Sequence, residues 1–250
     1  MSATRDWDAH TYDRVSTPQV QWAEQVLGRL ELRGDETVLD AGCGSGRVTA
    51  MLLERLPRGR VVAVDASPSM IDAAREALPP DRVQFLVTDL VHLSLDAPVD
   101  AVFSNAVFHW IADHDRLFAT LHAALRPGGQ LVAQCGGEGN VAAFLAAMAR
   151  VGGRKPYAQH LAGWRPWNFA SPETTQERLR RAGFAQARCW RSERRVVPEE
   201  AASFARTVCL GAHLDRLPES LREAYVSDVL RAAGQPLVLD YVRLNILARA

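Results

Sequence analysis

One short segment, residues 38–46, combines the pattern of a buried strand with a glycine-rich turn. Its apolar run ends at Asp40, and glycines then follow at alternate positions, at Gly42, Gly44 and Gly46. Residues 47–56 carry apolar side chains at the spacing of one helix face. Because only glycine lets a backbone turn this sharply and approach a ligand closely, strand, turn and helix together predict a nucleotide-binding loop.

The spacing of the glycines narrows the choice of ligand. Dinucleotide folds favour G-x-G-x-x-G, which seats a pyrophosphate on a helix N-terminus. Here the spacing is G-x-G-x-G, and Asp40 stands two residues before the first glycine. An acidic side chain there suits a ligand with a cationic amino-acid end, such as S-adenosylmethionine, better than a diphosphate. A nicotinamide oxidoreductase is the alternative from another class. Cys43, a small side chain inside the turn, is expected to be structural rather than redox-active.

Apolar runs alternate with helical patterns after the loop. Strands are predicted at residues 60–65, 83–87, 99–104 and 130–134, with helices at 68–78 and 113–125. This alternation predicts a parallel sheet covered on both faces, with ligands at its carboxyl edge. Later helices are predicted at 141–151, 172–182, 198–210 and 218–233, and strands at 184–197 and 237–248. We expect these two strands to form an antiparallel hairpin at the sheet edge, with the helices between them forming a cap.

Further acidic residues end the second and third predicted strands. Asp65 lies about 20 residues after the loop, where a carboxylate can grip both ribose hydroxyls, although it could also cap the helix at Pro68. Asp89 can accept the adenine amino group beside the Leu90 amide, or cap a helix. Asp40 is expected to support the turn and to receive the cofactor's ammonium group through water or backbone. The expected cofactor residues are Asp40, Gly42, Cys43, Gly44, Gly46, Asp65, Ala66, Met70, Asp89, Leu90, Ser104 and Asn105.

Charge and cysteine usage exclude several classes. Lys plus Arg (29) equals Asp plus Glu (29), which disfavours nucleic acid and anionic membranes as partners. The sequence contains no long apolar run, and its first residues are polar, so we expect neither a membrane span nor a secretory signal. The four cysteines lie far apart and outside any metal-ligand spacing, which predicts reduced thiols in a cytoplasmic protein and no metal site. We expect a monomer or homodimer that acts on a small-molecule acceptor.

The motifs resemble those of a known class of enzymes. Residues 38–46, 64–65, 88–89 and 125–131 resemble the successive motifs of class I S-adenosylmethionine-dependent methyltransferases. Within that class the chain is similar to the trans-aconitate 2-methyltransferase group, on residues 7–12 (WDAHTY), 103–110 (FSNAVFHW) and 241–249 (YVRLNILAR). The resemblance runs nearly end to end. It implies an α/β fold with a Rossmann-like, mostly parallel seven-stranded sheet whose last strand is antiparallel.

The resemblance also implies a domain organisation for the chain. We expect one domain over residues 1–250, with an N-terminal lid helix in 1–30, a cofactor-binding core over 31–136, and substrate cap insertions over 137–172 and 198–236. Residues 141–169 do not match the family pattern and are expected to set the choice of substrate.

The residues after the fourth strand lie nearest the methyl carbon in such a fold. No N/D-P-P-Y sequence stands there, which disfavours methylation of adenine or glutamine nitrogen, and no set of acids suggests a Mg²⁺-dependent catechol enzyme. His109, Trp110 and Tyr12 are the catalytic candidates, and His10, Trp164, Arg165 and Trp167 are the substrate-binding candidates. Trp110 could instead be a packing residue, His109 a helix cap or backbone partner, and Arg165 a surface residue. His114 and His122 are expected to be solvated.

The predicted reaction is methyl transfer to a small organic molecule, most simply to the oxygen of a carboxylate such as a trans-aconitate-like acid. A carboxylate is ionised at neutral pH, so it needs hydrogen-bond donors and a dry pocket but no general base. Methylation of carbon, nitrogen or a phenolic oxygen on another small metabolite is the alternative. It would require a proton acceptor, for which His109 and Tyr12 are available. A protein that binds the cofactor without catalysing a reaction is a further alternative.

Overall fold

The computed structural model describes residues 17–250. Within them, seven strands form one sheet in the order β3-β2-β1-β4-β5-β7-β6. Strand β7 is antiparallel to both of its neighbours, and the other adjacent pairs are parallel. The predicted sheet is therefore confirmed. The strands are β1 Thr37–Ala41, β2 Arg60–Asp65, β3 Val83–Val87, β4 Val99–Asn105, β5 Leu125–Gly136, β6 Gln186–Val196 and β7 Leu239–Arg249.

Ten α-helices occur in the described part of the chain. They are α1 Thr17–Leu27, α2 Arg47–Glu54, α3 Pro68–Ala77, α4 His114–Ala124, α5 Ala142–Gly152, α6 Ala158–Leu161, α7 Pro172–Arg181, α8 Ala201–Phe204, α9 Gly211–Arg216 and α10 Glu219–Ala233. Two 3₁₀ turns lie at Leu90–His92 and Phe108–Trp110. A π-helical segment, Ala205–Leu210, joins α8 to α9.

Local sequence signals account for several helix starts. Ser67 Oγ accepts the Met70 N–H at the start of α3, where Pro68 has no N–H that would need an acceptor. Asp113 Oδ1 accepts the Arg116 N–H at the start of α4 in the same manner. These caps satisfy backbone groups that have no partner inside the helix.

Two predicted elements differ from the structure. Residues 126–129, predicted as a turn before the fifth strand, belong to β5, which begins at Leu125 and shifts register against β4 between Val99 and Ala101. The helix predicted at 198–210 is a short α8 followed by the π segment, and helical structure continues through α9. The local pattern predicts a turn in the first segment and one helix in the second. It does not show where the backbone hydrogen bonds change from one pairing to another.

Buried apolar side chains of the described residues form three clusters. One packs α4 and α7 against the sheet, through Leu121 and Leu179 among others. A second packs α1, α2 and α3 against the sheet, through Val26, Leu52 and Ile71. The third lies among α5, α9 and α10, beyond the carboxyl end of β5. Since the predicted cap residues supply most of this third cluster, they have an apolar core of their own.

None of the helices in the described range is both long and apolar enough to cross a membrane.

Candidate cofactor and acceptor site

The glycine loop joins β1 to α2 and is packed on one side only. The N–H groups of Gly42 and Cys43 both donate to the Val64 carbonyl, at 2.8 and 3.0 Å, which holds the loop against β2. Gly42 has φ +88°, and a Cβ there would lie 2.2 Å from a methyl of Val107. Gly44 has φ +55°, and a Cβ there would meet nothing within 4 Å. Gly46, also at positive φ, is the N-cap of α2. The loop therefore leaves open space at Gly44 for a ligand.

Asp65 ends β2 directly beside this loop. Its Oδ2 accepts the Gly44 N–H at 3.0 Å and its Oδ1 accepts the Ser67 N–H at 2.9 Å. The Ala66 N–H also donates to this carboxylate, and the remaining lone-pair capacity is open to an incoming hydroxyl. Burial raises the pKa of Asp65, and these N–H donors oppose the shift. Ser67, rather than Asp65, caps α3, so the capping role considered for Asp65 belongs to its neighbour.

Asp40 lies beneath the loop and is almost completely buried. Its Oδ2 accepts the Thr49 hydroxyl at 2.6 Å, which ties β1 to α2 across the turn. Burial above all raises the pKa of Asp40 to about 7; the Asp65 charge adds to this, and the Thr49 hydrogen bond opposes it. Asp40 thus supports the turn from within, and two carboxylates under one loop create a region suited to a cation.

Cys43 is buried inside the turn, where its thiol lies 3.5 Å from the Gly44 carbonyl. Burial raises the pKa of this thiol well above its usual value, with Asp40 and Asp65 contributing in the same direction. The thiol therefore stays protonated and unreactive at neutral pH, in agreement with a structural role.

The other predicted cofactor residues lie at the same edge of the sheet. Asp89 is exposed two residues after β3, and its Oδ1 caps the 3₁₀ turn by accepting the Val91 N–H at 3.1 Å. Its second oxygen remains available to a ligand. Ala66 follows β2 and is half-buried, while Met70 and Leu90 are buried. Contact of these residues with adenine and ribose stays a prediction.

The end of β4 is fixed against β1. Ser104 is buried, and its hydroxyl donates to the Ala41 carbonyl at 2.6 Å, so that it connects the two central strands. Asn105 is half-buried and is the last residue of β4. Ala106 then turns the chain at φ +64° toward the 3₁₀ turn Phe108–Trp110. This turn carries two of the three catalytic candidates.

His109 is held in one protonation state. Its Nδ1 accepts the Gly136 N–H at 3.3 Å, so the proton of the neutral ring lies on Nε2. Burial first, and then the charges of Arg243 and His114, lowers the pKa of His109 well below its usual value. The alternative in which His109 hydrogen-bonds to the backbone is therefore observed. The ring can donate from Nε2, but its other nitrogen is already engaged.

Arg243 is a buried residue of this region that sequence reasoning did not single out. It is 3% exposed on β7, its Nε donates to Gln134 Oε1 at 3.3 Å, and its guanidinium lies 4.8 Å from the Trp22 ring centroid. The available signal was an arginine at the period-two position shared with Tyr241 and Asn245, within an otherwise apolar strand.

Aromatic rings from the 164–169 loop meet the end of β4. The ring centroids of Trp110 and Trp167 are 5.7 Å apart, and Phe169 stacks on both Trp167 and His109, at 5.8 and 5.7 Å. The Asn168 N–H donates to the His109 carbonyl at 2.8 Å and so ties the loop to the core. The structure thus brings Trp110 and Trp167 together, while Trp164 packs edge-on against His213 of α9, with ring centroids 4.8 Å apart.

The structure leaves three substrate or catalytic candidates without an observed contact to these rings, one because it is exposed and two because they are not described. Arg165 is exposed in the 164–169 loop, as the surface alternative anticipates. His10 and Tyr12 lie outside the described residues. Their predicted roles stay predictions.

The expectation that His114 is solvated is wrong. His114 is 2% exposed; its Nε2 lies 2.9 Å from the Phe108 carbonyl and its Nδ1 lies 3.3 Å from Arg178. It is buried because helix α7, distant in sequence, covers that face of α4. His122 is half-buried and packs edge-on against Phe184 at 5.0 Å.

No group of three or more His, Cys, Asp or Glu residues in the described range could hold a metal ion. The four cysteines are free thiols.

Comparisons with known proteins agree with this geometry. A family model described as a methyltransferase domain matches residues 38–129. The chain is 43% identical to a trans-aconitate 2-methyltransferase of Azoarcus sp. (strain BH72) over 51% of its own length and 50% of that protein, so this match spans half of the relative. It is 30% identical to a trans-aconitate 2-methyltransferase of Variovorax paradoxus (strain S110) over 98% of its own length and 96% of that protein.

A solved structure shares the fold. An N-methyltransferase of Haemonchus contortus, in complex with phosphomonomethylethanolamine and S-adenosylhomocysteine, is similar with a TM-score of 0.63 at 18% identity. The match covers 96% of this chain and 57% of that one. At this level of identity the likeness concerns the fold.

Proposed function

We propose a function that proceeds from the family of this chain, which belongs to the class I S-adenosylmethionine-dependent methyltransferases and to the family that includes the trans-aconitate 2-methyltransferases. The proposed reaction is methylation of a carboxylate oxygen of a small organic acid. The observation that carries the choice of a carboxylate is the state of His109. Its Nδ1 is occupied by the Gly136 N–H, and its pKa is far below neutrality.

The residues of the glycine loop fit the cofactor. S-adenosylmethionine, when bound, supplies a methyl group on a positively charged sulfur. The space at Gly44 admits backbone approach, and the spare lone pairs of Asp65 suit the ribose hydroxyls. The carboxylates of Asp40 and Asp65 lie under the loop and favour a ligand that carries an ammonium group and a sulfonium.

A carboxylate acceptor makes limited demands on the protein. It is ionised at neutral pH and gives up no proton, so the site must orient it and exclude water. His109 offers an Nε2–H donor to an oxygen of the carboxylate. The rings of Trp110, Trp167 and Phe169 lie around His109 and supply apolar surface. A phenol or an amine would need a base, which a neutral histidine with an occupied Nδ1 and a protonated Nε2 does not supply.

The acceptor chemistry can be tested with methyl-labelled S-adenosylmethionine and a panel of small carboxylic acids, phenols and amines. We expect base-labile products from acids alone. With S-adenosylmethionine saturating at every pH, we also expect the rate to stay level between about pH 6.5 and 8.5, because an acid is fully ionised there. The variant His109→Gln, which retains an N–H donor, should keep more activity than His109→Leu. A rate that rises steeply with pH and is lost in both variants would replace the carboxylate with an acceptor that needs a base.

The cofactor site can be tested separately by calorimetry with S-adenosylhomocysteine. Asp65→Ala removes two acceptor oxygens, and we expect affinity to fall by roughly 100-fold, as for the loss of two charge-assisted hydrogen bonds. Asp72→Ala is the matched control, since this exposed carboxylate on α3 pairs only with Arg75 among the described residues. Equal affinity in Asp65→Ala and the parent would remove the ribose assignment.

A further inference from the structure

Helices α5 and α10 end side by side at a surface cleft of about 330 Å³. This volume lies within the range of small-molecule sites, about 300 to 1,000 Å³. None of the residues assigned above to the cofactor or to the acceptor lines it. We call it the cap cleft, and its polar lining consists of Arg150, Arg154, Lys155, Tyr157, Asp228 and Arg231.

The lining of the cap cleft is strongly basic, although the chain as a whole is not. Four of these side chains are cationic and one is acidic, whereas the full sequence carries 29 charged side chains of each sign. A general excess of positive charge therefore does not explain the concentration of cations here. Lys155 contributes to it as the only lysine of the sequence.

The fold itself uses two of the four cations. Arg150, in the last turn of α5, donates from its guanidinium to the Ala232 carbonyl near the end of α10, at 2.8 Å. Arg231, in the last turn of α10, pairs with Asp228 Oδ1 at 3.1 Å. A cation at a helix C-terminus also balances the helix dipole. These two arginines are therefore expected at the helix ends even without a ligand.

Arg154 and Lys155 have no such role. Both follow the end of α5 and are exposed, and neither side chain forms a hydrogen bond or ion pair with another of residues 17–250. The acid of the cleft does not serve them, because Asp228 Oδ2 accepts the Tyr157 hydroxyl at 2.8 Å and its other oxygen binds Arg231. Since Arg150 contacts only a neutral carbonyl, three positive charges remain uncompensated among the described residues.

A larger cleft at the amino end of β1, of about 440 Å³, lacks this excess of charge. Its three arginines each pair with a carboxylate, in the pairs Arg33–Glu36, Arg126–Asp100 and Arg249–Glu31. Uncompensated positive charge is therefore a property of the cap cleft and not of arginine-lined clefts in general.

We propose that the cap cleft binds a diphosphate group, either as inorganic pyrophosphate or as the diphosphate end of a nucleotide. A diphosphate carries about three negative charges on two adjoining groups, which match the three uncompensated cations. Arginine binds phosphate oxygens through parallel N–H donors, and lysine binds them as a point charge. This lining, rich in donors, favours phosphate, with three acceptor oxygens per group, over carboxylate with two.

The cap cleft offers little to a nucleobase. The one aromatic side chain in its lining, Tyr157, is 4% exposed and so presents no free ring face for stacking. Recognition therefore rests on the phosphate groups, and a nucleoside attached to them should add little affinity.

Calorimetry of the full chain with pyrophosphate, ADP, citrate and sulfate, at equal ionic strength, tests the proposal. We expect pyrophosphate to bind at least about tenfold more tightly than sulfate or citrate, the effect of one additional charge-assisted hydrogen bond. Similar binding of ADP would include nucleotides among the ligands, and binding of pyrophosphate without ADP would restrict them to the inorganic ion. No binding of pyrophosphate, binding of ADP alone, or equal binding of sulfate or citrate would overturn the proposal.

S-adenosylhomocysteine distinguishes the cap cleft from the glycine loop. Pyrophosphate should bind with the same affinity when this compound is saturating, because the cleft and the loop share no lining residue. Displacement of pyrophosphate by it would assign the anion to the loop and reject the cleft. The result is independent of the proposed carboxyl methylation, because the measurement requires no turnover.

Charge variants should change the affinity in both directions. Arg154→Gln and Lys155→Gln should each weaken pyrophosphate binding about tenfold. Asp228→Asn removes the acid but keeps an acceptor for the Tyr157 hydroxyl, and it should strengthen binding by about fivefold. Arg58→Gln, at an exposed position outside the cleft, is the matched control and should bind as the parent does. Equal losses in Lys155→Gln and Arg58→Gln would reject the site.

The single lysine also provides a direct readout of occupancy. An activated acetate ester acetylates the amine of Lys155, and mass spectrometry of the peptide that contains it gives the rate. Pyrophosphate at about ten times its dissociation constant should slow this reaction about tenfold, as mass action requires, and the same concentration of sulfate should not. An unchanged rate under saturating pyrophosphate would show that the anion binds elsewhere.

Discussion

At the scale of single residues, Asp40 under the glycine loop makes both the stability of the fold and the affinity for a cationic ligand depend on pH. Burial raises the pKa of Asp40 from 3.8 to about 7, so between these values the folded chain holds a proton that the unfolded chain has released. The stabilising contribution of this protonation is complete below the unfolded pKa and is lost as the pH rises through about 7. At higher pH the folded chain carries a buried carboxylate that only a cationic ligand offsets.

Asp40→Asn tests this coupling, because asparagine can still accept the Thr49 hydroxyl but carries no charge. Relative to this variant, we expect the free energy of unfolding of the parent to fall by about 2 to 3 kcal/mol between pH 5 and pH 8. Urea unfolding at the two pH values measures the difference. Asp81→Asn, at an exposed position, is the control and should show no such divergence. Parallel pH dependence of parent and Asp40→Asn would contradict the raised pKa.

The same ionisation affects ligand affinity. Since a cationic ligand favours the ionised form of Asp40, we expect S-adenosylmethionine to bind more tightly as the pH rises from about 6 to 8, with release of a proton. Calorimetry in buffers of different ionisation enthalpy measures that release. In Asp40→Asn the proton release should shrink, and an undiminished release there would assign it to another group.

At the scale of elements, two glycines of the β1–α2 loop differ in their surroundings, which suggests one role in folding and one in the proposed ligand binding. Gly42 has a positive φ and lies against the Val107 side chain, so only glycine fits at this position. Gly44 also has positive φ, but it faces open space. The first glycine therefore allows two elements to pack, and the second keeps room for a ligand.

The two glycine-to-alanine variants should separate these roles. Gly42→Ala is expected to lower the free energy of unfolding by about 2 to 4 kcal/mol, through the clash with Val107 and the strained φ. Gly44→Ala should cost only about 1 kcal/mol but weaken S-adenosylhomocysteine binding strongly. Thermal unfolding and calorimetry on both variants measure this. If Gly44→Ala bound the ligand normally, the open side of the loop would not be the binding face.

Across the whole molecule, one buried amide joins the late strands to the core. Asn245 on β7 donates from Nδ2 to the Trp190 carbonyl and Ser192 Oγ on β6, at 3.3 and 3.0 Å. Its Oδ1 accepts from Gln134 on β5 and from Arg29 beyond α1, both at 2.7 Å. A single side chain therefore connects three strands and the N-terminal helical region.

Asn245→Leu should remove this connection and leave several buried polar groups without partners. We expect the free energy of unfolding to fall by about 3 to 5 kcal/mol. Asp240→Leu, at an exposed position of the same strand, should change it by less than about 1 kcal/mol. Urea unfolding compares the two. Similar losses in both variants would show that β7 is held by its backbone ladder alone.

Much of the cofactor half was predictable from the sequence. The glycine loop, the strand after it and the acid at its end are adjacent in the chain, and their pattern carries the geometry. The acceptor half was predictable only in part. Trp110 and Trp167 were named without knowledge that their rings meet, whereas His213 was not named at all. His213 is separated from Trp164 by many residues, and nothing near it in the sequence indicates an aromatic neighbour.

By itself the sequence determined the α/β architecture, the methyltransferase family and the glycine loop that we propose to face the cofactor, because periodicity and positive-φ glycines are local properties of the chain. Only the tertiary structure decided which polar side chains are buried, which nitrogen of His109 is engaged, and how the cap meets the end of β4. Those outcomes depend on desolvation and on partners brought from distant segments, and no local pattern records them.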